Sequence, residues 1–135
     1  MKRVVVETPG WVRTDTGTES VEVELGYDPA DPFAVRLTLG SAARSTTWVF
    51  GRDLLADGLR SMVPVGEGQV LVQATSVLTE ISHTDDDGEV TVLRLPWWNT
   101  REFVRLTHAE VPRGQEACDV DAWVAALTAS SESSD

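Results

Sequence analysis

Two stretches of the chain alternate apolar and polar residues, and a proline-containing turn separates them. The alternating apolar positions are Val21, Val23, Leu25 and Tyr27 before the turn and Phe33, Val35, Leu37 and Leu39 after it. A two-residue period places one face of a strand on a core, so both stretches are predicted to be strands. Pro29 and Pro32 lack backbone donors. Each also disfavours helical geometry in the residue before it, Asp28 or Asp31, which predicts a fixed, non-helical turn.

Further strands are expected on both sides of this pair. The segment from residue 2 to residue 25 reads as two or three strands with a turn at "TDTGT", residues 14–18. Residues 46–50 alternate so that Trp48 and Phe50 share one face. A short helix follows at once: Asp53 is predicted to cap it and Gly58 to end it in the left-handed conformation.

The second half of the chain is predicted to contain a hairpin and two helices. Gly66 and Gly68 precede the strand-like "QVLVQA", and a later hairpin has an acidic tip at residues 85–88. Asn99 and Glu102 have the spacing of a capping box at the start of a helix. A last apolar helical face over residues 120–127 has either Asp119 or Asp121 as its cap. We expect a single domain over residues 1–129 and a disordered acidic, serine-rich tail over 130–135.

Length and composition narrow the class of protein. The chain has 135 residues, 41% of them hydrophobic, which is typical of one globular domain. No apolar run reaches the ~20 residues of a membrane helix, and the N-terminus does not resemble a signal peptide, so we expect a cytoplasmic protein without membrane insertion. The formal net charge of -11 would repel phosphate backbones, so nucleic acid is not an expected partner.

No residue pattern indicates catalysis, a cofactor or a metal. Cys118, the single cysteine, could act as a nucleophile only beside His83 or His108, and neither histidine has a motif around it. The acidic run at residues 85–87 together with His83 could bind a cation, but contiguous aspartates favour a solvated hairpin tip. The sequence therefore predicts no catalytic, cofactor-binding or metal-binding residues.

The adjacent pair Trp97 and Trp98 suggests a binding surface. In an extended segment neighbouring side chains face opposite ways, so one ring can enter the core only if the other turns toward solvent or a partner. One interpretation covers both rings with the following helix. The other makes Trp97 or Trp98 an interface anchor, because large aromatic side chains dominate binding hot spots.

An ordered series of motifs resembles the SsgA-like proteins, small sporulation and cell-division regulators of morphologically complex actinomycetes. The matching positions are Tyr27, Asp28, Asp31, Pro32, Trp48, Phe50, Arg52, Asp53, Leu54, Leu55, Gly58, Leu59, Gly66, Gly68 and Val70, and near the C-terminus Phe103, Val104, Thr107, Val111, Pro112, Gly114 and Glu116. Gln69, Gly51 and Leu106 depart from the family pattern. The match covers about three-quarters of the chain in the family's order and spacing.

The resemblance implies an α+β fold of strongly bent antiparallel sheet with a few short helices, similar to the Whirly fold, assembled as a homotrimer. It also implies a non-enzymatic adaptor that helps to position septa, with the division GTPase FtsZ or another SsgA-like protein as partner. In this interpretation the motif at residues 27–32 is scaffold, and Asp28 or Asp31 faces Arg52.

A competing function class follows from the Whirly-like fold. Proteins of that fold bind single-stranded nucleic acid through stacked aromatic rings and a basic groove. A basic stripe made by Arg36, Arg44, Arg52 and Arg60 would favour this alternative, whereas the net charge opposes it.

A homo-oligomer is also expected on physical grounds, because the segment from residue 69 to residue 78 has neither charge nor proline to protect a sheet edge.

Overall fold

The fold is an antiparallel sheet of seven strands with two helices packed against it. The computed structural model describes residues 2–40 and 44–116. The elements are β1 (Val4–Thr14), β2 (Gly17–Tyr27), β3 (Ala34–Gly40), β4 (Ser45–Gly51), α1 (Arg52–Gly58), β5 (Val70–Thr75), β6 (Leu78–Thr84), β7 (Val90–Pro96) and α2 (Trp97–Glu110). The strand order is β4-β3-β2-β1-β7-β6-β5. This arrangement confirms the predicted α+β class.

The sheet is strongly curled. Trp48 on β4 stacks on His83 of β6 with ring centroids 4.7 Å apart and nearly parallel planes. These two strands lie near opposite ends of the strand order, so only curvature of the sheet can bring their side chains together. The buried apolar side chains of the strands and both helices fill the concave side as one core.

The alternating pattern predicted the first strands and their buried faces. Residues 4–27 form one long hairpin of two strands, with its turn at the predicted position and Gly17 at φ +140°. Val23, Leu25 and Tyr27 are buried along β2, as are Val35 and Leu37 along β3. Phe33 does not extend the second pattern, because β3 begins one residue later and the ring remains 52% exposed.

Helix α1 begins and ends differently from the sequence prediction. Its N-cap is Gly51, and no side chain caps it, so Asp53 lies inside the first turn. Gly58 is the last helical residue and does not have a positive φ. A Cβ at Gly58 would lie 2.3 Å from Cγ1 of Val72 on β5. Glycine is required here because the helix approaches the sheet closely, and not because the backbone turns left-handed.

The second half of the sheet matches the predicted turns. Gly66 and Gly68 have positive φ before β5. The acidic hairpin tip between β6 and β7 is a turn in which the Asp85 carboxylate accepts hydrogen bonds from the N–H groups of Asp87 and Glu89. The last predicted helix, Cys118 and the acidic tail lie outside the described residues.

Helix α2 begins three residues earlier than the capping-box pattern predicts. Its N-cap is Pro96, so Trp97 and Trp98 form the first turn. Asn99 is therefore not a cap; its side-chain amide donates a hydrogen bond of 2.9 Å to the hydroxyl of Thr8 on β1. This contact fixes the start of α2 against the sheet.

The edge strand β5 is covered by its own chain, contrary to the prediction that it is unprotected. Val65 and Val72 exchange two backbone hydrogen bonds of 2.9 Å, and the N–H of Ala74 donates to the carbonyl of Ser61. Within residues 2–40 and 44–116, no strand pairs with the outer edge of β4 at the other end of the sheet. In the described part of the chain, the open edge is therefore β4.

We expect Gly58→Ala to lower the free energy of unfolding by about 1–3 kcal/mol, because the added methyl group overlaps Val72 and forces α1 away from β5. Chemical denaturation measures the change. Gly26→Ala is the matched control, since the nearest atom to its Cβ is 3.9 Å away, and it should stay within about 0.5 kcal/mol of wild type. Equal effects of both substitutions would contradict the close-packing explanation.

Candidate functional site

A buried arginine connects the helices below the candidate binding surface. Arg52, the first residue of α1, is fully buried. Its guanidinium donates to the carbonyl oxygens of Thr107 (3.1 Å) and Val111 (2.5 Å) at the end of α2. It also forms an ion pair with the carboxylate of Glu116. One side chain thereby bonds two carbonyl oxygens at the C-terminal end of α2 and neutralises a buried carboxylate.

The turn after α2 places Glu116 for this pairing. Gly114 has a φ of +89°, and its N–H donates a 2.7 Å hydrogen bond to Oε2 of Glu116. Burial acts to raise the pKa of the Glu116 carboxyl, but hydrogen bonds from Arg52 and from backbone N–H groups outweigh it. The pKa of Glu116 therefore lies below its ordinary value, and the carboxylate remains charged opposite Arg52.

The prediction that Asp28 or Asp31 faces Arg52 is wrong. Asp28 instead forms an exposed ion pair with Arg3 and accepts a hydrogen bond from the N–H of Ala30. The Asp31 N–H donates to the carbonyl of Asp28 within the same turn. The Asp28 side chain thus stabilises its own turn, and the carboxylate that pairs with Arg52 belongs to Glu116.

The proline-containing turn reaches Arg52 by other contacts. The Tyr27 hydroxyl donates a 3.0 Å hydrogen bond to the carbonyl of Pro32 across the turn. The Arg52 guanidinium carbon lies 5.0 Å from the Tyr27 ring centroid, and the Arg52 N–H donates to the carbonyl of Phe33. These contacts support a scaffold role for this part of the motif.

The remaining motif residues also have structural contacts. Trp48 and Phe50 are buried in the core, and Gly58 packs on β5. The carboxylate of Asp53 lies 3.3 Å from Nε of Arg113, beyond the end of α2. Of these contacts, the Asp53–Arg113 pair links α1 to the segment that follows α2.

The tryptophan pair lies at the start of α2, with one ring turned inward and the other outward. The Trp97 indole N–H donates to the carbonyl of Leu59 (3.0 Å), and the ring is half-buried. Trp98 is 64% exposed, and the two rings meet edge to face with centroids 5.1 Å apart. The interpretation that α2 covers both rings is therefore wrong for Trp98.

A groove of about 390 Å³ runs between α1 and α2 beside this pair, and we call it the α1–α2 groove. Its apolar lining consists of Ala56, Leu59, Trp97 and Val104. Its basic lining consists of Arg60, Arg101, Arg105, His108 and Arg113. No carboxylate among the described residues lines this groove, although the chain as a whole carries a net charge of -11. The groove is therefore a basic surface on an acidic protein.

The arginines of the groove differ in their charge partners. Arg105 pairs with Glu102, and Arg113 pairs with Asp57 and Asp53. Within residues 2–40 and 44–116, no carboxylate lies within ion-pair distance of Arg60 or Arg101. Arg101 instead lies over both indole rings, 5.6 Å from the centroid of Trp97 and 5.3 Å from that of Trp98. In the described part of the chain, the guanidinium groups of Arg60 and Arg101 are therefore not engaged in an ion pair.

Burial and two nearby arginines lower the pKa of the groove's histidine. Burial is the main cause that lowers the pKa of His108, and the positive charges of Arg52 and Arg113 lower it further. Asp53 and Glu116 oppose these effects without cancelling them. His108 therefore contributes hydrogen-bonding capacity to the groove and no permanent charge at neutral pH.

The basic stripe that would favour nucleic-acid binding does not form. Arg52 is buried and engaged with Glu116, so it cannot contact a phosphate backbone.

Among the described residues, no group of three or more His, Cys, Asp or Glu side chains is arranged to hold a metal ion. In the same part of the chain, neither helix is long and apolar enough to cross a membrane.

Sequence reasoning identified the tryptophans but missed the groove and the partner of Arg52. Arg60 and Arg101 are distant in sequence, and only the packing of α1 beside α2 places them on one surface. Glu116 is 64 residues from Arg52. The available signal for Glu116 was its position in the family-like segment that also contains Val111, Pro112 and Gly114.

Solved structures with the same architecture include two sporulation proteins. The SsgB structure of Streptomyces coelicolor, described with mutations that correlate to longitudinal cell division during sporulation, has a TM-score of 0.78 and 32% identity. The match covers 87% of this chain and 95% of that one. An SsgA-like sporulation-specific cell division protein from Thermobifida fusca has a TM-score of 0.81 at 22% identity, covering 93% and 96% of the two chains. The second likeness shows the shared fold alone.

Sequence comparison identifies the family. The family model described as Streptomyces sporulation and cell division protein, SsgA, matches residues 21–116. The sporulation-specific cell division protein Francci3_3418 of Frankia casuarinae is 35% identical over 116 residues, 82% of this chain and 77% of that protein. Sporulation-specific cell division protein SsgB of Streptomyces coelicolor is 39% identical over 101 residues, 71% of this chain and 72% of that protein.

The fold defines the chain as an α+β protein with a curled antiparallel sheet, in the class of sporulation-associated cell division proteins. The chain belongs to the SsgA family of sporulation and cell division proteins. This assignment confirms the resemblance found in the sequence and supports a role in sporulation division. The family comprises cell division regulators and is not a known family of enzymes.

We expect Arg52→Ala to lower the free energy of unfolding by about 3–5 kcal/mol, because it leaves the buried carboxylate of Glu116 without its counter-charge. Thermal melting and chemical denaturation measure the loss. The exposed Arg36→Ala is the matched control and should change stability by less than about 0.5 kcal/mol. If Arg52→Ala melted like wild type yet abolished division activity in cells, the residue would belong to a binding surface instead.

Proposed function

We propose that this protein is a non-enzymatic adaptor that helps to position septa in sporulation-specific cell division. The observation that carries the proposal is the exposed Trp98 ring beside the α1–α2 groove, on a scaffold held by Arg52. A large exposed aromatic ring next to arginines has the composition of a protein-binding hot spot. The adaptor acts in the cytoplasm at division septa, through one domain formed by residues 1–129.

The partner in this proposal is a component of the division machinery. FtsZ and other SsgA-like proteins are the partners implied by the family resemblance. The names of the relatives, which place them in sporulation-specific cell division, support a partner from that process. The alternative of a single-stranded nucleic-acid binder gains no support from the relatives or from the position of Arg52.

The proposal includes assembly into a homotrimer. The open edge of β4 supports it, since an unpaired strand edge is usually covered, charged or used for pairing. Strand β4 has neither a charged residue nor a proline, and Val49 on its outer face is 53% exposed. A second copy that covers this edge would protect it. Three copies of the tryptophan surface would then bind a polymeric partner with increased avidity.

Size-exclusion chromatography with light scattering should give a mass about three times 14.7 kDa. Val49→Lys should reduce the assembly to monomers, because a charge on the edge strand opposes its coverage by another copy. Val5→Lys is the matched control: Val5 is similarly exposed, but it lies on the interior strand β1 and should leave the mass unchanged. A wild-type monomer at micromolar concentration would refute the assembly.

We expect Trp98→Ala to abolish septal localisation and FtsZ capture while changing stability by less than about 0.5 kcal/mol, because the ring is mostly exposed. A fluorescent fusion in sporulating cells reports localisation, and a pull-down with immunodetection of FtsZ reports the partner. Phe33→Ala removes another aromatic ring of comparable exposure and serves as the control. Normal septation by Trp98→Ala, or an equal defect in Phe33→Ala, would exclude this surface from the adaptor function.

A further inference from the structure

The α1–α2 groove concentrates positive charge on a protein that is otherwise acidic. Four of the chain's eleven lysines and arginines line it, and no carboxylate of the described residues does. By contrast, a depression of about 550 Å³ on the sheet is lined by Glu7, Glu22 and Glu24. The two surfaces would attract ligands of opposite charge.

The groove offers two kinds of contact at one place. Arg60 and Arg101 supply planar guanidinium donors that can bind a carboxylate with two hydrogen bonds. Trp98 and the half-buried Trp97 supply apolar ring surface next to them. Because Arg101 already lies over both rings, a ligand that binds its guanidinium also contacts the indoles.

Exposed apolar side chains extend this surface beyond the groove. The Trp97 backbone N–H donates to the carbonyl of Val77, which fixes the β5–β6 turn at the start of α2. The Ser61 carbonyl accepts a hydrogen bond from β5, which fixes the segment after α1 to the same edge of the sheet. Val77 is 68% exposed, and Met62, next to Ser61, is 86% exposed. Apolar side chains beside a charged rim are typical of protein-binding sites.

We propose that the α1–α2 groove binds an acidic peptide segment of a partner protein, with carboxylates on Arg60 and Arg101 and an apolar side chain against the tryptophan pair. This inference rests on the proposed adaptor function and specifies the chemistry of its partner. A short acidic segment matches two arginines that have no carboxylate partner within residues 2–40 and 44–116. A nucleic acid would need many phosphate contacts, and the net charge of -11 opposes a long polyanion.

Calorimetric titration of the full chain with a synthetic peptide tests the proposal. The probe is a short capped peptide in which glutamates alternate with leucine and phenylalanine; its partner peptide carries glutamine in place of every glutamate. We expect the acidic peptide to bind at low salt, its affinity to fall as salt is raised, and the glutamine peptide to bind at least about tenfold more weakly.

Paired variants locate the site. Arg60→Gln combined with Arg101→Gln should weaken binding of the acidic peptide about tenfold or more, as should Trp98→Ala. Arg13→Gln combined with Arg36→Gln removes the same number of charges from exposed positions on the sheet and should leave binding within about twofold of wild type. Circular dichroism confirms that each variant remains folded.

Several outcomes overturn the inference. These are equal binding of the two peptides, no binding of either, or an equal loss in both arginine pairs. A thymidine oligonucleotide could instead bind the wild-type protein more tightly than the acidic peptide and lose affinity in the groove variants. That result would identify nucleic acid as the ligand. Septation in cells is measured separately. If Trp98→Ala impairs septation but the wild-type protein does not bind the acidic peptide, the adaptor proposal stands and only the acidic-segment proposal is wrong.

Discussion

The buried guanidinium of Arg52 is the interaction on which the arrangement of the two helices depends. It receives its counter-charge from Glu116, satisfies two carbonyl oxygens at the end of α2, and lies against the ring of Tyr27. An arginine without these partners would be a costly buried charge, so the turn at residues 27–33, the start of α1 and the end of α2 must form together. The α1–α2 groove exists because this network fixes the spacing of the helices.

Much of the sheet could be predicted from local pattern. The period of two identified the buried faces of β2, β3 and β4, and glycine with aspartate marked the hairpin turns. Several errors share a physical cause, which is that the deciding contact lies outside the short window of sequence that sets local propensity. Glycine is required at position 58 because of Val72, and the Asn99 side chain bonds Thr8 instead of capping its helix. Backbone contacts from Ser61 and Val65 cover β5. Local propensity contains no information about such partners.

The candidate site was predictable only in part for the same reason. The adjacent tryptophans left two interpretations open, and the outward one is right for Trp98, although the pair begins a helix and is not extended. The arginines around the groove come from α2 and from the segments that follow α1 and α2, and they share a surface only after these helices pack. Composition even pointed away from a basic groove, because a net charge averages over the whole chain and hides local segregation of charge. The pairing of Arg105 and Arg113 with acids leaves Arg60 and Arg101 as the distinctive pair.

The stacked contact between Trp48 and His83 has a consequence for the mechanics of the sheet. These rings meet where the ends of the strand order approach each other, yet β4 and β6 share no ladder of backbone hydrogen bonds. Side-chain packing therefore stabilises the curvature of the sheet at this point. A change in that curvature does not require the backbone hydrogen bonds between paired strands to break. Substitutions at Trp48 or His83 can therefore change the curvature of the sheet while every pair of strands keeps its register.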